Sequence, residues 1–481
     1  MRKLVATVAF LAAMLGVVSA GTGADGIAPR EPPVLMVAPF VLLLLSIALL
    51  PFINKHFWEH HYPKIAIGLG LIAVAYYVFV LHNAPRMLTS LIEYVGFMAL
   101  IGSLFVIAGG IHINMTGRST PAVNTGLLAV GALLANLIGT TGASMLLIRP
   151  FLRINKYRAA PFHAVFFIFI VSNIGGALTP IGDPPLFLGY LKGVPFFWLL
   201  KAPQVVLAWL LCVGALLALF FLIDLRDFQK HKNEVGRRAE GRVELEGTHN
   251  FIWLFVIIGL VLMQKAEWLK GLGDWPAFGA IGQALGWDGA KTAESFVTVS
   301  TAALMIVMAC LSHKFANQDA LHENEFSFGP VREVGFLFLG IFATMVPALD
   351  LLEKHAADIG ITTARQFFWG SGTLSSVLDN APTYLNFLTA AFGLQHLSLE
   401  NPAHMQSFLL DAHTAKYIVA VSLGSVFFGA NTYIGNGPNF MVKSIAESNG
   451  VKCPSFFGYV VKYTLPILIP LFAVVSWLIL R

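Results

Sequence analysis

A chain of 481 residues with 57% hydrophobic and only 12% charged residues is not a soluble globule, because soluble domains carry about twice that charged fraction. The net charge of +5 is spread between apolar runs, with no basic stripe interleaved with aromatics, which argues against a nucleic-acid partner. Cys212, Cys310 and Cys453 have no metal-ligand spacing, and no nucleophile triad or phosphate loop accompanies them, so neither a zinc site, a disulfide framework nor a membrane enzyme is expected.

At the N-terminus, Arg2 and Lys3 precede an apolar run that ends at Val18-Ser19-Ala20, a small-residue site of the signal-peptidase type. Residues 1–20 therefore read as a secretory signal, with an uncleaved first helix as the alternative; removal of the signal leaves the mature N-terminus outside the cytoplasm. Apolar spans follow at about 35–53, 63–82, 91–113, 162–190, 199–223, 251–264, 294–312, 332–351, 414–441 and 459–480, each read as a membrane crossing. Two further apolar runs, 123–150 and 365–392, are interrupted at Gly139 and at Asp379-Asn380-Ala381-Pro382. Basic residues favour short cytoplasmic loops, and with both runs read as re-entrant hairpins the two densest basic clusters, 149–158 and 226–242, both fall on the cytoplasmic side. The fold expected is an all-α polytopic membrane protein with about ten transmembrane helices plus two re-entrant hairpins. Each half, 35–223 and 251–480, then holds five crossings and one hairpin, so the repeats are inverted. Segment 224–250, with six basic and six acidic residues, reads as a cytoplasmic linker, and 394–413 as an outer loop. Trp268, Trp275 and Trp287 mark 265–293 as an outer interfacial loop.

The stretch 171–186 organises the rest. It lies inside an apolar run, yet carries Asn173, Gly175, Gly176, Pro180, Gly182, Asp183, Pro184 and Pro185. Proline and glycine break the helix there, and in hydrocarbon a broken backbone survives only where protein or a water-filled cavity satisfies it. The stretch has an echo: Ile181-Gly182-Asp183-Pro184-Pro185 matches Ile434-Gly435-Asn436-Gly437-Pro438, 253 residues on, and the hairpin breaks lie roughly 240 apart. Paired broken segments in two halves are the mark of a repeat-built secondary transporter that binds substrate near the midplane.

Only Asp183 and Asp379 lie well inside these interrupted segments, while Glu93, Asp224 and Glu333 fall at span ends, within reach of the headgroups. No lysine or arginine stands at any of the four breaks. Two carboxylates among asparagines and threonines suit a small hard cation or a proton, and competition of Na+ and H+ for one carboxylate is the simplest form of antiport. The side-chain oxygens of Asn173, Thr179, Asn380, Asn431, Thr432 and Asn436 complete the expected cation and proton site, with Ser172, Thr140 and Thr141 as weaker members. Loop histidines such as His56, His60, His61 and His231 read as solvated. No cofactor is expected beyond the transported ions.

Ser172-Asn173-Ile174-Gly175-Gly176 running into Thr179-Pro180-Ile181-Gly182-Asp183-Pro184-Pro185, with Leu378-Asp379-Asn380-Ala381-Pro382-Thr383 and Gly429-Ala430-Asn431-Thr432-Tyr433-Ile434-Gly435-Asn436, resembles the NhaD-type sodium/proton antiporters. These belong to the arsenite-permease and citrate-transporter branch of the ion transporter superfamily, and the resemblance spans roughly 90–465. It implies exchange of Na+ for H+ across the bacterial cytoplasmic membrane, with an elevator-like movement of hairpins and broken helices against a dimeric scaffold. Dicarboxylate-handling members tend to show Ser-Asn-Thr in both halves. Here the matching triplets are Ser172-Asn173-Ile174 and Ala430-Asn431-Thr432, a departure that counts against a dicarboxylate ligand; a sodium-coupled carrier of a carboxylate or arsenite is the alternative reading.

Overall fold

Prolines set where many of the helices start. Those beginning at Pro121, Pro161, Pro184, Pro203, Pro276 and Pro402 have the proline at their first position, where its missing N–H costs no hydrogen bond. In the computed structural model, residues 31–231, 242–265 and 267–480 are described. The signal-like segment 1–20 and the middle of the linker, 232–241, lie outside them. Among the described residues the chain is helical almost throughout, as expected of an all-α polytopic membrane protein.

Among the described residues seven helices are long and apolar enough to cross a membrane, or eight with one bent pair, and the ten expected spans fall on these or on shorter or broken apolar helices. Six are continuous and long: Val34–Pro51, His56–Val80, Ala84–Gly109, Pro203–Lys230, Gly289–Phe315 and Phe456–Ile479. Gly329–Thr344 and Val346–Asp358 form one segment bent by 41°, and Asn250–Met263 is a shorter helix. The last two are broken, as Pro161–Ile170 with Pro184–Leu191 and as Ala412–Phe428 with Gly437–Ser448.

Pro121–Ile154 is long enough to cross a membrane but is folded back on itself. Gly139 takes φ 77° and ψ 156°, a left-handed conformation that suits glycine. Asn124 and Asn155 exchange amide hydrogen bonds, both 2.9 Å. In a straight helix these residues would lie about 46 Å apart at 1.5 Å per residue. Helices Ala364–Ser375 and Asn380–Gly393 form the second hairpin, with the Phe367 and Phe387 rings 6.1 Å apart across it.

The chain divides into two compact units. One comprises Met1–Leu100, Ile258–Ile306 and Gly329–Leu351. Its helices cross closely where side chains are small: a Cβ at Gly340 would stand 2.7 Å from the Ala66 carbonyl oxygen. Tyr77 is buried against Met87 and Val346, and its hydroxyl donates to Asp350 Oδ2 at 2.6 Å while Arg86 Nε donates to Oδ1 at 3.0 Å.

The other unit, Ile101–Ile257, Val307–Phe328 and Leu352–Arg481, holds both hairpins and both broken helices. It also holds two features that differ from expectation. The end of the 91–113 span and the end of the linker pair as antiparallel strands, His112–Thr116 with Arg242–Glu246, in the register His112↔Glu246. And Asp224 does not reach the headgroups: it is fully buried in the last turns of Pro203–Lys230, facing the base of the first hairpin. Its carboxylate accepts from both terminal nitrogens of Arg158, from Asn124 Nδ2 at 2.9 Å and from His163 Nε2 at 3.1 Å. Arg158 is equally buried, and a buried ion of either sign is tolerated only with such complete pairing. The contact also brings the end of the basic cluster 149–158 to the last turns of Pro203–Lys230, next to the start of the second cluster.

Candidate cation site

Both breaks leave carbonyls without helical donors, and side chains supply them. At the first, Asn173 Nδ2 donates to Ile168 O at 2.8 Å, and Gly175 O accepts from Asn136 Nδ2 at 2.7 Å and from Trp209 Nε1 at 2.9 Å. At the second, Asn439 Nδ2 donates to the carbonyls of Gly429 and Thr432, both at 2.8 Å, and Thr464 Oγ1 donates to Asn431 O at 2.7 Å. A non-helical backbone away from water needs such partners.

The loops are tight because glycines face each other within each break. A Cβ at Gly176 would stand 2.6 Å from Gly182 O, and one at Gly435 2.6 Å from Gly429 O. A threonine then ties each loop to a hairpin tip: Thr179 Oγ1 donates to Asn136 O at 2.6 Å, and Thr432 Oγ1 to Ser376 O at 2.5 Å.

Asp183 sits where these elements converge. It immediately precedes helix Pro184–Leu191 but its side chain does not cap that helix. Instead the carboxylate, in a residue 1% exposed, accepts from Thr140 Oγ1 at 2.8 Å, from Asn380 Nδ2 at 2.5 Å and from Asn436 Nδ2 at 3.0 Å. The three donors come from the first hairpin tip, the second hairpin tip and the second break. Hydrogen bonds to a charged group contribute about 1.5–3 kcal/mol each. Three of them match the several kcal/mol of desolvation an ion bears in a protein interior. The carboxylate is thus held firmly, but all three donors are neutral and its charge is left uncancelled. Two amide oxygens of neighbouring segments, Asn380 Oδ1 and Asn431 Oδ1, are buried and accept no hydrogen bond. A carboxylate with the spare oxygen of Asn380, the side chain that also donates to it, offers the kind of oxygen ligands a hard monovalent cation takes.

The other expected residues divide. Asn173 joins the cluster through Asn436 Nδ2, 3.2 Å from its Oδ1, and through its own Nδ2, which donates to Asn439 Oδ1 at 2.7 Å. Ser172 contributes its carbonyl to Asn436 at 3.1 Å, while its hydroxyl pairs with Ser144 at 2.8 Å. Asn431 Nδ2 turns to Ser376 Oγ at 2.9 Å. Asp379 is half-buried and caps helix Asn380–Gly393, accepting from Ala381 N at 3.0 Å. It therefore reaches Asp183 through its neighbour Asn380 and makes no hydrogen bond to it. Thr141 is half-buried beside Thr140 and takes no part in these bonds.

Asn136 and Asn439 are members of the hydrogen-bond cluster that sequence reasoning passed over. Both lie within the interrupted motifs, and the signal that finds them is the set of freed carbonyls each must satisfy. The triplet comparison also needs correcting. It sets Asn173 against Asn431 at an offset of 258, whereas the threonine and glycine contacts repeat at 253, so the two asparagines are not structural equivalents.

A model of the family described as "Putative citrate transport" matches residues 30–480. No curated protein matches the chain.

Proposed function

The chain belongs to the citrate-transport family and is a multi-pass membrane transporter, and on that premise we propose that it exchanges Na+ for H+ with the Asp183 carboxylate as the carrier of charge. The observation that carries this reading is the buried carboxylate met by three neutral donors and no lysine or arginine. Na+ or a proton cancels its charge, the two cannot occupy it together, and a bare carboxylate at the midplane is costly to move, on the order of 3 kcal/mol on insertion scales. The neutralised forms are then the ones that cross, which couples the two ions. Asn380 Oδ1 and Asn431 Oδ1 are the neutral oxygens available to replace hydration water. Asp379, one residue from Asn380, adds negative charge at the second hairpin tip. The hairpins and broken helices are taken to be inverted repeats that move together in an elevator-like step within a homodimer in the bacterial cytoplasmic membrane.

The family match favours a second reading, in which Na+ at the same carboxylate drives uptake of a citrate-like carboxylate. The substrate's charge would then be met by Na+ and by the amides of Asn173, Asn436 and Asn439.

Proton movement in proteoliposomes separates the two. Addition of Na+ alone is expected to release protons from vesicles of wild-type protein and not from those of Asp183→Asn. Citrate-dependent Na+ uptake without proton release would establish the second reading in place of the first. Proton release by Asp183→Asn at the wild-type rate would remove Asp183 from both.

A further inference from the structure

The contacts around Asp183 repeat in a fixed register. Gly176 and Gly182 face each other as Gly429 and Gly435 do, 253 residues on. Thr179 Oγ1 accepts from Gly182 N at 3.2 Å and donates to the first hairpin at Asn136 O; Thr432 Oγ1 accepts from Gly435 N at 3.1 Å and donates to the second hairpin at Ser376 O. In that register the mate of Asp183 is Asn436. The backbones agree, with φ −144° and ψ 145° at Asp183 against φ −153° and ψ 143° at Asn436. Each immediately precedes a helix with proline in its first turn, and neither side chain caps that helix. The tips of the hairpins keep their own register of 240, which pairs Asn136 with Ser376 and Thr140 with Asn380. Both Thr140 and Asn380 donate to Asp183.

Two equivalent residues that touch each other, flanked by a second equivalent pair that touches one of them, lie on the axis relating the copies. Asp183 and Asn436 meet this condition through the 3.0 Å bond between them. We propose that Asn436 is a second seat for the transported charge: the site is two-fold in backbone and in donors, and one of its two equivalent positions carries the carboxylate while the other carries the amide that positions it. Exchanging the two residues keeps one carboxylate, one amide and the bond between them. It leaves Ser172 O and Asn173 Oδ1, which now accept from Asn436, facing the ion. The inference rests on Asp183 being the carrier.

The test is Na+-driven proton release in proteoliposomes. Asp183→Asn is expected to fall to the level of protein-free vesicles, and Asp183→Asn with Asn436→Asp to rise above it again, with an altered apparent Na+ affinity. Asn439 is buried, bonded to Asn173 and three residues away, but is not the mate of Asp183. Asp183→Asn with Asn439→Asp is therefore expected to remain at background. Monodisperse elution in detergent establishes that each variant is folded. If the exchanged pair does not pass, Asp183→Ser with Asn436→Asp, which needs less volume, is read in its place. A folded exchanged pair that stays at background, or equal recovery by Asn439→Asp, overturns the second seat and leaves the carrier role of Asp183 standing. Full exchange by Asp183→Asn alone sinks the carrier role, and the second seat with it.

Discussion

Arg158 and Asp224 provide a stability test that does not depend on which substrate is carried. All of the guanidinium nitrogens of Arg158 are used: the terminal pair on Asp224, one of them also on Asp227 Oδ2 at 3.1 Å, the other on Ser119 O at 2.8 Å, and Nε on Ser119 Oγ at 3.0 Å. Removing one partner of a buried pair typically costs about 3–5 kcal/mol, because the other charge remains buried. Arg158→Met leaves the buried Asp224 without its guanidinium and with only the single hydrogen bonds of Asn124 and His163, so its cost belongs at the upper end of that range. Asp224→Leu leaves Arg158 with Asp227, whose side chain is 19% exposed, and belongs at the lower end. Removing both deletes the desolvation problem along with the attraction. The double variant is therefore expected to cost less than the sum of the two single ones, by a coupling of about 2–3 kcal/mol between the sites. Unfolding titrations with SDS in mixed micelles give the three free energies. Strictly additive costs would mean that the two groups are not coupled through burial, and the account of how the base of the first hairpin is held would be wrong.

Three further outcomes are expected. Gly182→Ala drives a Cβ into the Gly176 carbonyl and should cost about 1–3 kcal/mol of overpacking and abolish transport, seen as a lowered melting temperature together with loss of ion flux; an unaltered melting temperature would contradict the close approach of Gly176 and Gly182 within the first break. Thr432→Val removes the hydroxyl that bridges Ser376 O and Gly435 N, and should cost on the order of 1–2 kcal/mol. Apparent Na+ affinity in the flux assay should weaken severalfold, with some exchange retained. Cysteines in place of Lys230 and Gln395, in a cysteine-free background, should differ in reaction with a membrane-impermeant maleimide applied to intact cells: only the second should label, and the reverse result would invert the proposed topology.

The architecture was legible wherever chemistry interrupts hydrophobicity. Pro180, Pro184 and Pro185 with three glycines mark the first break, and Asn380 and Pro382 mark the second hairpin tip, because those residues have no ordinary place inside an apolar helix. The hairpin reading of 123–150 came from charge, since folding that run back keeps the basic cluster 149–158 on the cytoplasmic side. What stayed hidden depends on three-dimensional partners. Asp224 stands at the end of an apolar run, and nothing along the chain distinguishes a carboxylate that emerges into the headgroups from one that turns back onto an arginine. Asn136 and Asn439 are single asparagines whose role exists only because Gly175, Gly429 and Thr432 carry carbonyls that lost their helical donors. Asp379 has the residue type of a carrier and the geometry of a helix cap, a difference set by whether Ala381 N or a neighbouring hairpin claims it. The five-residue strand 242–246 lies in a charged segment, and its short alternation is outweighed by the linker composition around it.

The pairing of His112–Thr116 with Arg242–Glu246 has a consequence for the order in which the protein is made. At about 5–20 residues per second of synthesis, the first strand precedes its partner by roughly 7–27 s. In that interval the whole of the first hairpin, the first break and helix Pro203–Lys230 leave the ribosome. Helical contacts form in microseconds to milliseconds, so the intervening structure, with Arg158 and Asp224 in hand, has ample time to assemble before the ladder can close. The first strand's unpaired edge waits through this period, and the arrival of residue 246 seals a first half that has already been built.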